Sequence, residues 1–295
     1  MAIPEPQLVT WSHQGSIVQS SSTCATIRRA LESTDTRYAG KSYETFLQGS
    51  YCNDTNIYAE SDVDVVICLD SVYYYDITGL TAAEQTAFNA ALVPGTYPYA
   101  TYKADVVAAL VKSFGTDVKP GNNAVKIKAN GNRRSADVAV AAEFRRYYSA
   151  LWVPQYERGI CFFNDSGNRI ANYPKHHSAN CTEKHRDTNG WFKPMVRILK
   201  NMRSRLVDEG SIEEGSAPSY FIEGLLYNVP NDKFGVSYGD TFVAAINWIF
   251  QADRSTFVCA NKLHYLVRDS VATCWAIEDC NKFLDALAAL WNEWS

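Results

Sequence analysis

Two aspartates spaced two residues apart open one apolar run of the sequence, and a third aspartate opens another. Asp62 and Asp64 stand at the start of VDVVICL, and Asp137 stands at the start of DVAVAA. Alternate residues of a strand point to the same side, so Asp62 and Asp64 project together while the valines between them face a core. Adjacent carboxylates repel unless a cation lies between them, and oxygen ligands suit a hard divalent cation. The pattern predicts a divalent-cation site if the two strands are neighbours.

A Gly-Ser pair precedes these carboxylates in the chain. Glycine lets the backbone approach a phosphate closely, and the hydroxyl and N–H groups of Gly49-Ser50 can donate to it. Three carboxylates can hold two Mg²⁺ ions about 3.5–4 Å apart, a geometry that activates an attacking hydroxyl and stabilises a pyrophosphate leaving group. A lone Gly-Ser pair is common in turns, and a lone DxD motif is common at strand edges. The prediction therefore depends on the joint pattern.

The elements that position these residues are strands early in the chain and helices later. Strands are predicted over 43–48 and 62–69, and hairpins over 124–141, around Asn130-Gly131, and over 159–174. Helical spacing is present over 17–31, 81–92, 104–112, 189–207, 219–227, 238–250 and 281–294. We therefore expect an α+β fold. Residues 1–175 would form a mixed-sheet catalytic lobe that includes a long N-terminal helix, residues 176–295 a helical lobe, and the cleft between them the active site.

Composition excludes several classes of protein. The chain has 295 residues, 46% of them hydrophobic, and a net charge of -4, which is typical of a globular protein and unlike one that coats nucleic acid. The N-terminus lacks signal-peptide features, and no apolar run approaches the length of a membrane span. The eight cysteines form no CxxC pair, which predicts reduced thiols rather than a disulfide framework. We expect a cytoplasmic protein without a membrane partner.

Three segments carry a resemblance to a known family. GSYCNDTNIYAESDVDVVI, SADVAVAAEFRRY and NYPKHHSANCTEKHRDTNGWFKPMVRILKNMR resemble the polymerase-β-like nucleotidyltransferase superfamily, and within it the bacterial cGAS/DncV-like nucleotidyltransferases (CD-NTases) of CBASS antiphage systems. The resemblance runs from about Tyr43 to Tyr227. It implies a monomer with a polymerase-β-like lobe that joins nucleoside triphosphates, ATP with GTP or a pyrimidine nucleotide, into a cyclic di- or trinucleotide. Two Mg²⁺ ions, or Mn²⁺ as a substitute, would assist, and pyrophosphate would be released.

The resemblance also implies roles for the motif residues. Asp62, Asp64 and Asp137 would be the catalytic metal ligands, and Asp137 would help to deprotonate the attacking ribose hydroxyl. Gly49 and Ser50 would hold the donor triphosphate. The cyclic product would activate a separate effector in antiphage defence, and in some related operons the C-terminus of the synthase, here LWNEWS, is conjugated by ubiquitin-like machinery.

Three residues of the later helices are further candidates for substrate binding. By motif position, Lys200 would bind phosphate, Ser219 would touch the phosphates, and Tyr220 would stack on the donor base. A lysine suits a triphosphate and a tyrosine suits any base. Two structural alternatives remain, since Lys200 belongs to a basic run typical of a solvated helix face and Tyr220 precedes the apolar pair Phe221-Ile222.

A zinc site is a separate hypothesis. His177, Cys181 and His185 are spaced by four residues, which would stack them on one face of a helix. Vertebrate cyclic GMP-AMP synthase has a zinc-binding insertion in a similar region, but the present pattern lacks a cysteine pair. The alternative is that His177 positions the turn before the long helix.

Two other functions compete with cyclic-nucleotide synthesis. A template-independent transferase could make linear oligoadenylate or RNA tails, and a catalytically silent relative could sense nucleic acid or act as a scaffold. The presence of all three carboxylates disfavours the silent protein, and the acidic pI of 5.8 disfavours broad duplex binding. The sequence leaves open the bases, the ring size and the linkage of the product.

Overall fold

The computed structural model describes residues 2–15, 17–58, 62–149, 155–271 and 273–294. Its helices are α1 (Glu5–Ser12), α2 (Val18–Leu31), α3 (Gly49–Cys52), α4 (Ala82–Ala90), α5 (Tyr99–Phe114), α6 (Pro174–Asp187), α7 (Phe192–Asp208), α8 (Ser219–Asn228), α9 (Tyr238–Gln251) and α10 (Ile277–Asn292). Its strands are β1 (Tyr43–Leu47), β2 (Val63–Asp76), β3 (Val118–Pro120), β4 (Val125–Ile127), β5 (Ala136–Ser149), β6 (Gln155–Phe163) and β7 (Arg169–Asn172). A mixed sheet followed by a run of helices confirms the predicted α+β class.

The chain folds into two compact units that interleave along the sequence. The sheet unit comprises Val18–Gln48 and Asp62–Pro174, and the helical unit comprises Met1–Ile17, Gly49–Ser61 and Lys175–Ser295. The predicted division after residue 175 differs from these units for 1–17 and 49–61, which belong with the later helices. The physical reason for the second segment is that its polar residues bond to side chains of α7 and α8.

The sheet unit is built around a parallel pair of long strands. The strand order is β1-β2-β5-β4-β3, with β6 on the far part of β5 and β7 beyond β6. β2 and β5 are parallel, and the other described pairs are antiparallel. The predicted hairpin between β4 and β5 is confirmed, with Val125 opposite Val138. The start of β5 is thereby enclosed by β2 on one side and β4 on the other.

Alternation along β2 and β5 separates two apolar clusters. Val63, Val65 and Ile67 belong to the larger cluster, which includes residues of α2 and α5. Val66 and Ala139 belong to a smaller cluster made of the alternate residues. Positions 64 and 137 have the parity of the smaller cluster. The sheet therefore directs both aspartates to the face opposite α2 and α5.

The helical unit has its own core, centred on α7. The buried residues of α7 recur at three- and four-residue intervals, as in Phe192, Met195, Val196 and Leu199. This stripe packs against α1, α8 and α10. Hydrophobic periodicity does not predict α1, because only Leu8 and Ser12 of its eight residues are buried.

Two expectations about membranes and cysteines can be compared with the structure. Within the described ranges, every helix is too short or too polar to cross a bilayer. All eight cysteines are free thiols, which confirms the prediction that they form no disulfide framework. Six of them are buried and behave as small apolar side chains.

Candidate active site

The parallel register of β2 and β5 brings two of the predicted carboxylates side by side. Asp64 lies opposite Asp137, one residue after the pair formed by Val63 and Ala136. Neighbouring positions on adjacent strands place side chains of equal parity on the same face. Both aspartates are partly buried, and each is flanked by fully buried apolar residues that fix the strand.

Asp62 lies just before β2, and Asp62, Asp64 and Asp137 are together named the acidic cluster. It is exposed, and the hydroxyl of Ser135 donates to its Oδ1, while the amide of Val63 donates to the Ser135 carbonyl at 3.1 Å. Burial raises the pKa of Asp137; the charge of Lys126 lowers that pKa, and the charge of Asp62 raises it again. All donors of the three aspartates are oxygens, which a hard divalent cation prefers. Among the described residues, these oxygens do not form a group within 4.8 Å of one another, so the metal site stays a prediction.

The Gly-Ser pair follows β1 directly, at the point where the chain passes from the sheet unit to the helical unit. In the sheet unit, the amide of Gln48 donates to the carbonyl of Asp64 at 3.0 Å. Gly49, the next residue, begins α3 with a φ of 69°, a conformation that glycine adopts without steric cost. The carbonyl of Ser50 accepts from the amide of Thr55 at 2.9 Å. The segment after Ser50 therefore turns back on the short helix.

Side chains of α7 hold the segment that follows this pair. The ammonium of Lys193 lies 2.9 Å from Oδ2 of Asp54, and Arg197 donates to the Asp54 carbonyl. Lys200 is fully buried, and its Nζ donates to the carbonyl of Thr55 at 3.0 Å. Lys200 is therefore not on a solvated helix face. It contacts the carbonyl of Thr55, the residue whose amide donates to the carbonyl of Ser50.

Ser219 and Tyr220 form the first turn of α8. Pro218 precedes them as the N-cap residue, and its fixed φ suits the start of a helix. The ring of Tyr220 stacks on His177 with centroids 4.6 Å apart and planes at 23°. Nδ2 of Asn261 donates to the Tyr220 hydroxyl at 2.9 Å, and burial raises the pKa of that hydroxyl. Tyr220 therefore has a fixed orientation and one ring face covered by His177.

The predicted zinc ligands do not come together as a set. His177, Cys181 and Glu223 offer ligand atoms within 4.8 Å of one another, and all three are buried. His185 instead accepts from the amide of Lys193 through Nδ1, at 3.4 Å. Burial raises the pKa of the Cys181 thiol well above its usual value, so the thiolate that zinc prefers is disfavoured. The alternative, that His177 positions the turn before the long helix, stays a prediction; His177 lies inside α6, and its contacts are with Glu223 and Tyr220.

Sequence reasoning missed Glu223. Its carboxylate accepts from Asn53, Thr55 and His177. A signal was available, since Glu223 is the single charged residue of the otherwise apolar stretch SYFIEGLLY. A charge amid buried helix positions requires a partner. The identity of that partner, about 170 residues away, could not be read from local spacing.

Comparisons with known proteins agree with this architecture. A family model described as the cGAS/DncV-like nucleotidyltransferase C-terminal helical domain matches residues 179–292. The chain is 39% identical to a cyclic UMP-AMP synthase of Rhodothermus marinus, over 100% of this chain and 99% of the relative. It is 35% identical to the cyclic nucleotide synthase CdnE01 of Staphylococcus haemolyticus, over 100% of both chains.

Solved structures give the same result. The Rhodothermus marinus CdnE c-UMP-AMP synthase with Apcpp and Upnpp matches with a TM-score of 0.88 and 36% identity, over 99% of this chain and 98% of that one. The Elizabethkingia meningoseptica CdnE cyclic dinucleotide synthase with GTP and Apcpp matches with a TM-score of 0.74 and 30% identity, over the same shares. Together with the acidic cluster on β2 and β5, these matches confirm the resemblance drawn from the sequence: the chain is a nucleotidyltransferase and belongs to the cGAS/DncV-like nucleotidyltransferase (CD-NTase) family.

Proposed function

We propose that this enzyme joins two nucleoside triphosphates and closes them into a cyclic dinucleotide, releasing pyrophosphate. The observation that carries the proposal is the pairing of Asp64 with Asp137 on parallel strands, with Asp62 close enough to perturb Asp137. The names of the relatives support the cyclic product, since each is a cyclic nucleotide synthase. A ring of three nucleotides is the alternative ring size.

The acidic cluster is the proposed metal site. Asp62, Asp64 and Asp137 would hold Mg²⁺, with two ions as the expected number and Mn²⁺ as a substitute. When bound, the metal would polarise the reacting phosphoryl group and neutralise charge on the leaving pyrophosphate. Asp137 is the residue we assign to take the proton from the attacking ribose hydroxyl, because burial raises its pKa toward that of an effective base.

The helical unit supplies the proposed nucleotide-binding residues. Gly49 and Ser50 would donate backbone and hydroxyl groups to the donor triphosphate, and Ser219 would contact the same phosphates. Tyr220 would stack on the donor base with the ring face opposite His177. Lys200 would act on the triphosphate by holding Thr55, whose carbonyl it already contacts.

ATP is the proposed common substrate, and UTP is the proposed partner. The Rhodothermus marinus relative is named a cyclic UMP-AMP synthase, whereas another relative, from Elizabethkingia meningoseptica, is named a cyclic dipurine nucleotide synthase. The partner nucleotide therefore varies within the family, and GTP is the alternative. In the cell, we propose a cytoplasmic monomer whose product activates a separate effector during phage infection, with conjugation of the C-terminus by ubiquitin-like machinery as a further possibility to test.

The decisive experiment is mass spectrometry of the product formed from an equal mixture of four ribonucleoside triphosphates with Mg²⁺. We expect a phosphatase-resistant dinucleotide containing adenine, and no product from the double variant Asp62→Asn, Asp64→Asn. Digestion with nucleases of known linkage specificity then distinguishes 2′-5′ from 3′-5′ bonds. A phosphatase-sensitive ladder of linear oligoadenylates would replace the cyclic proposal with linear synthesis. Absence of any product, with and without phage lysate as activator, would count against a synthase.

A further inference from the structure

Glu223 is a buried, ionised carboxylate one helical turn after Ser219 on α8. The residue is 2% exposed. Burial alone would raise its pKa, but the hydrogen bond and charge of His177, the charge of Lys200 and the hydrogen bond from Thr55 together lower it. An ionised group is stable in such a place only when donors surround it. The contacts of Glu223 are therefore specific, and loss of any one is costly.

The carboxylate binds the segment that follows the Gly-Ser pair. Nδ2 of Asn53 donates to Oε2 at 3.1 Å, and the hydroxyl of Thr55 donates to Oε1. Asn53, Thr55 and Glu223 are all buried within the helical unit. One side chain of α8 thus fixes both ends of the three-residue stretch 53–55.

Thr55 and Asn53, which Glu223 holds, also bond to the backbone of the Gly-Ser pair. The amide of Thr55 donates to the carbonyl of Ser50 at 2.9 Å, and its hydroxyl lies 3.4 Å from the same carbonyl. The amide of Asn53 likewise donates to the carbonyl of Gly49 at 3.2 Å. Each of the two residues bound by Glu223 therefore bonds to one residue of the pair.

The same carboxylate also fixes the support of Tyr220. Nε2 of His177 lies 2.5 Å from Oε2 of Glu223, and the ring of His177 stacks on Tyr220. An ionised carboxylate can only accept, so Nε2 of His177 donates to Glu223, while Nδ1 has no hydrogen-bond partner among the described residues. The contact with Glu223 is then the polar interaction that sets the angle of the ring.

We propose that Glu223 is a positioning residue that orients the phosphate-binding pair Gly49-Ser50 through Thr55 and the base-stacking Tyr220 through His177. The proposal rests on the proposed function, in which these residues bind one donor nucleotide. It assigns Glu223 no contact with substrate. Binding of the triphosphate and binding of the base would both weaken when its carboxylate is lost.

The first test is the variant Glu223→Gln, which keeps the shape but places an amide donor among groups that are themselves donors. We expect its Kd for a non-hydrolysable ATP analogue to rise about tenfold, the size expected for loss of one hydrogen bond to a buried charge. KM for ATP should rise more than kcat falls. Hydrogen–deuterium exchange of the nucleotide-free protein should increase in residues 49–58.

Two controls separate positioning from general destabilisation. Thr55→Val removes the hydroxyl that Glu223 binds, and Thr55→Ser restores it, so Thr55→Ser should recover the affinity that Thr55→Val loses. Glu143→Gln alters another buried carboxylate, which pairs with Arg145 and Arg158 in the sheet unit. It should lower the free energy of unfolding and leave exchange in 49–58 at the wild-type rate.

The possible results are distinct. Wild-type affinity for the analogue in both Glu223→Gln and Thr55→Val would overturn the positioning role, even if exchange in 49–58 rises. Unchanged exchange in 49–58 would overturn the anchoring itself. If the wild-type enzyme makes no nucleotide product, the proposed function fails, while the affinity and exchange measurements still decide the role of Glu223.

Discussion

Replacing Asp137 with asparagine should stabilise the metal-free protein while it removes activity. Burial and the negative charge of Asp62 raise the pKa of Asp137, although Lys126 partly offsets them, so the ionised carboxylate lowers the free energy of unfolding at neutral pH. For a pair that is partly exposed to solvent, relief of this repulsion is worth about 0.5–1 kcal/mol at low salt. In EDTA, Asp137→Asn should therefore melt about 1–3 °C above the wild type.

The sign of the pH dependence follows from the same shift. A carboxyl group with a raised folded-state pKa binds protons more readily in the folded than in the unfolded protein, so its unfavourable effect fades as the pH falls through the folded-state pKa. The stability difference between Asp137→Asn and the wild type should therefore shrink on acidification. Urea unfolding of both proteins at several pH values between 7 and 4 measures it.

Magnesium should reverse the order of stability of the wild type and Asp137→Asn. If the ion binds the three carboxylates, Mg²⁺ at ten times its Kd should stabilise the wild type by about 1.4 kcal/mol and Asp137→Asn by much less. Product formation should fall about a thousandfold in the variant, since charge stabilisation of several kcal/mol is lost. Asp70→Asn on the neighbouring strand β2, whose partner is Arg158, is the control and should keep its activity. An equal response of Asp137→Asn and the wild type to Mg²⁺ would refute the metal site.

Three further predictions concern the helical unit. Gly49→Ala should lose about 1 kcal/mol of stability in urea unfolding, because the φ of 69° is unfavourable for alanine, and an unchanged midpoint would show that the turn relaxes freely. Tyr220→Phe should keep the wild-type affinity for an ATP analogue, and Tyr220→Ala should lose it. Calorimetry measures both affinities, and equal values for the two variants would exclude base stacking. Burial lowers the pKa of Lys184 to about 8, so above that pH the unfolded chain binds more protons than the folded protein. The wild type should therefore gain stability relative to Lys184→Met between pH 8 and 10. Denaturant titrations at each pH would detect this gain or disprove it.

Local patterns predicted much of the sheet. Two-residue alternation located the start of β2 and the hairpin of β4 and β5, because both carry small or branched residues that face a core on alternate positions. The far end of β2 was missed, since its residues VYYYD are only partly buried and show no alternation. The pairing of β2 with β5 could be stated only as a condition, because sequence spacing does not determine which strands are neighbours.

Local patterns failed where polar residues determine the packing. The stretch Asn53–Thr55 has the composition of an exposed loop, yet Asn53 and Thr55 are buried against Glu223. The basic run around Lys200 is typical of a solvated helix face, yet Lys200 is fully buried. A buried polar group is stable only with a specific partner, and that partner here lies far along the chain. Sequence periodicity does not predict pairs of buried polar residues that lie far apart in the chain.

The interleaving of the two units has a consequence for biosynthesis. Thr55 and Asn53 leave the ribosome long before Glu223, which follows them by 168 and 170 residues. The strands through β7 can pair as soon as residue 172 has emerged, but the stretch after Ser50 must wait for α8 before its side chains find acceptors. A nascent or truncated chain would therefore have a complete sheet while residues 49–55 still lack their final contacts. If Gly49 and Ser50 bind the triphosphate as proposed, nucleotide binding is among the last properties that the protein acquires.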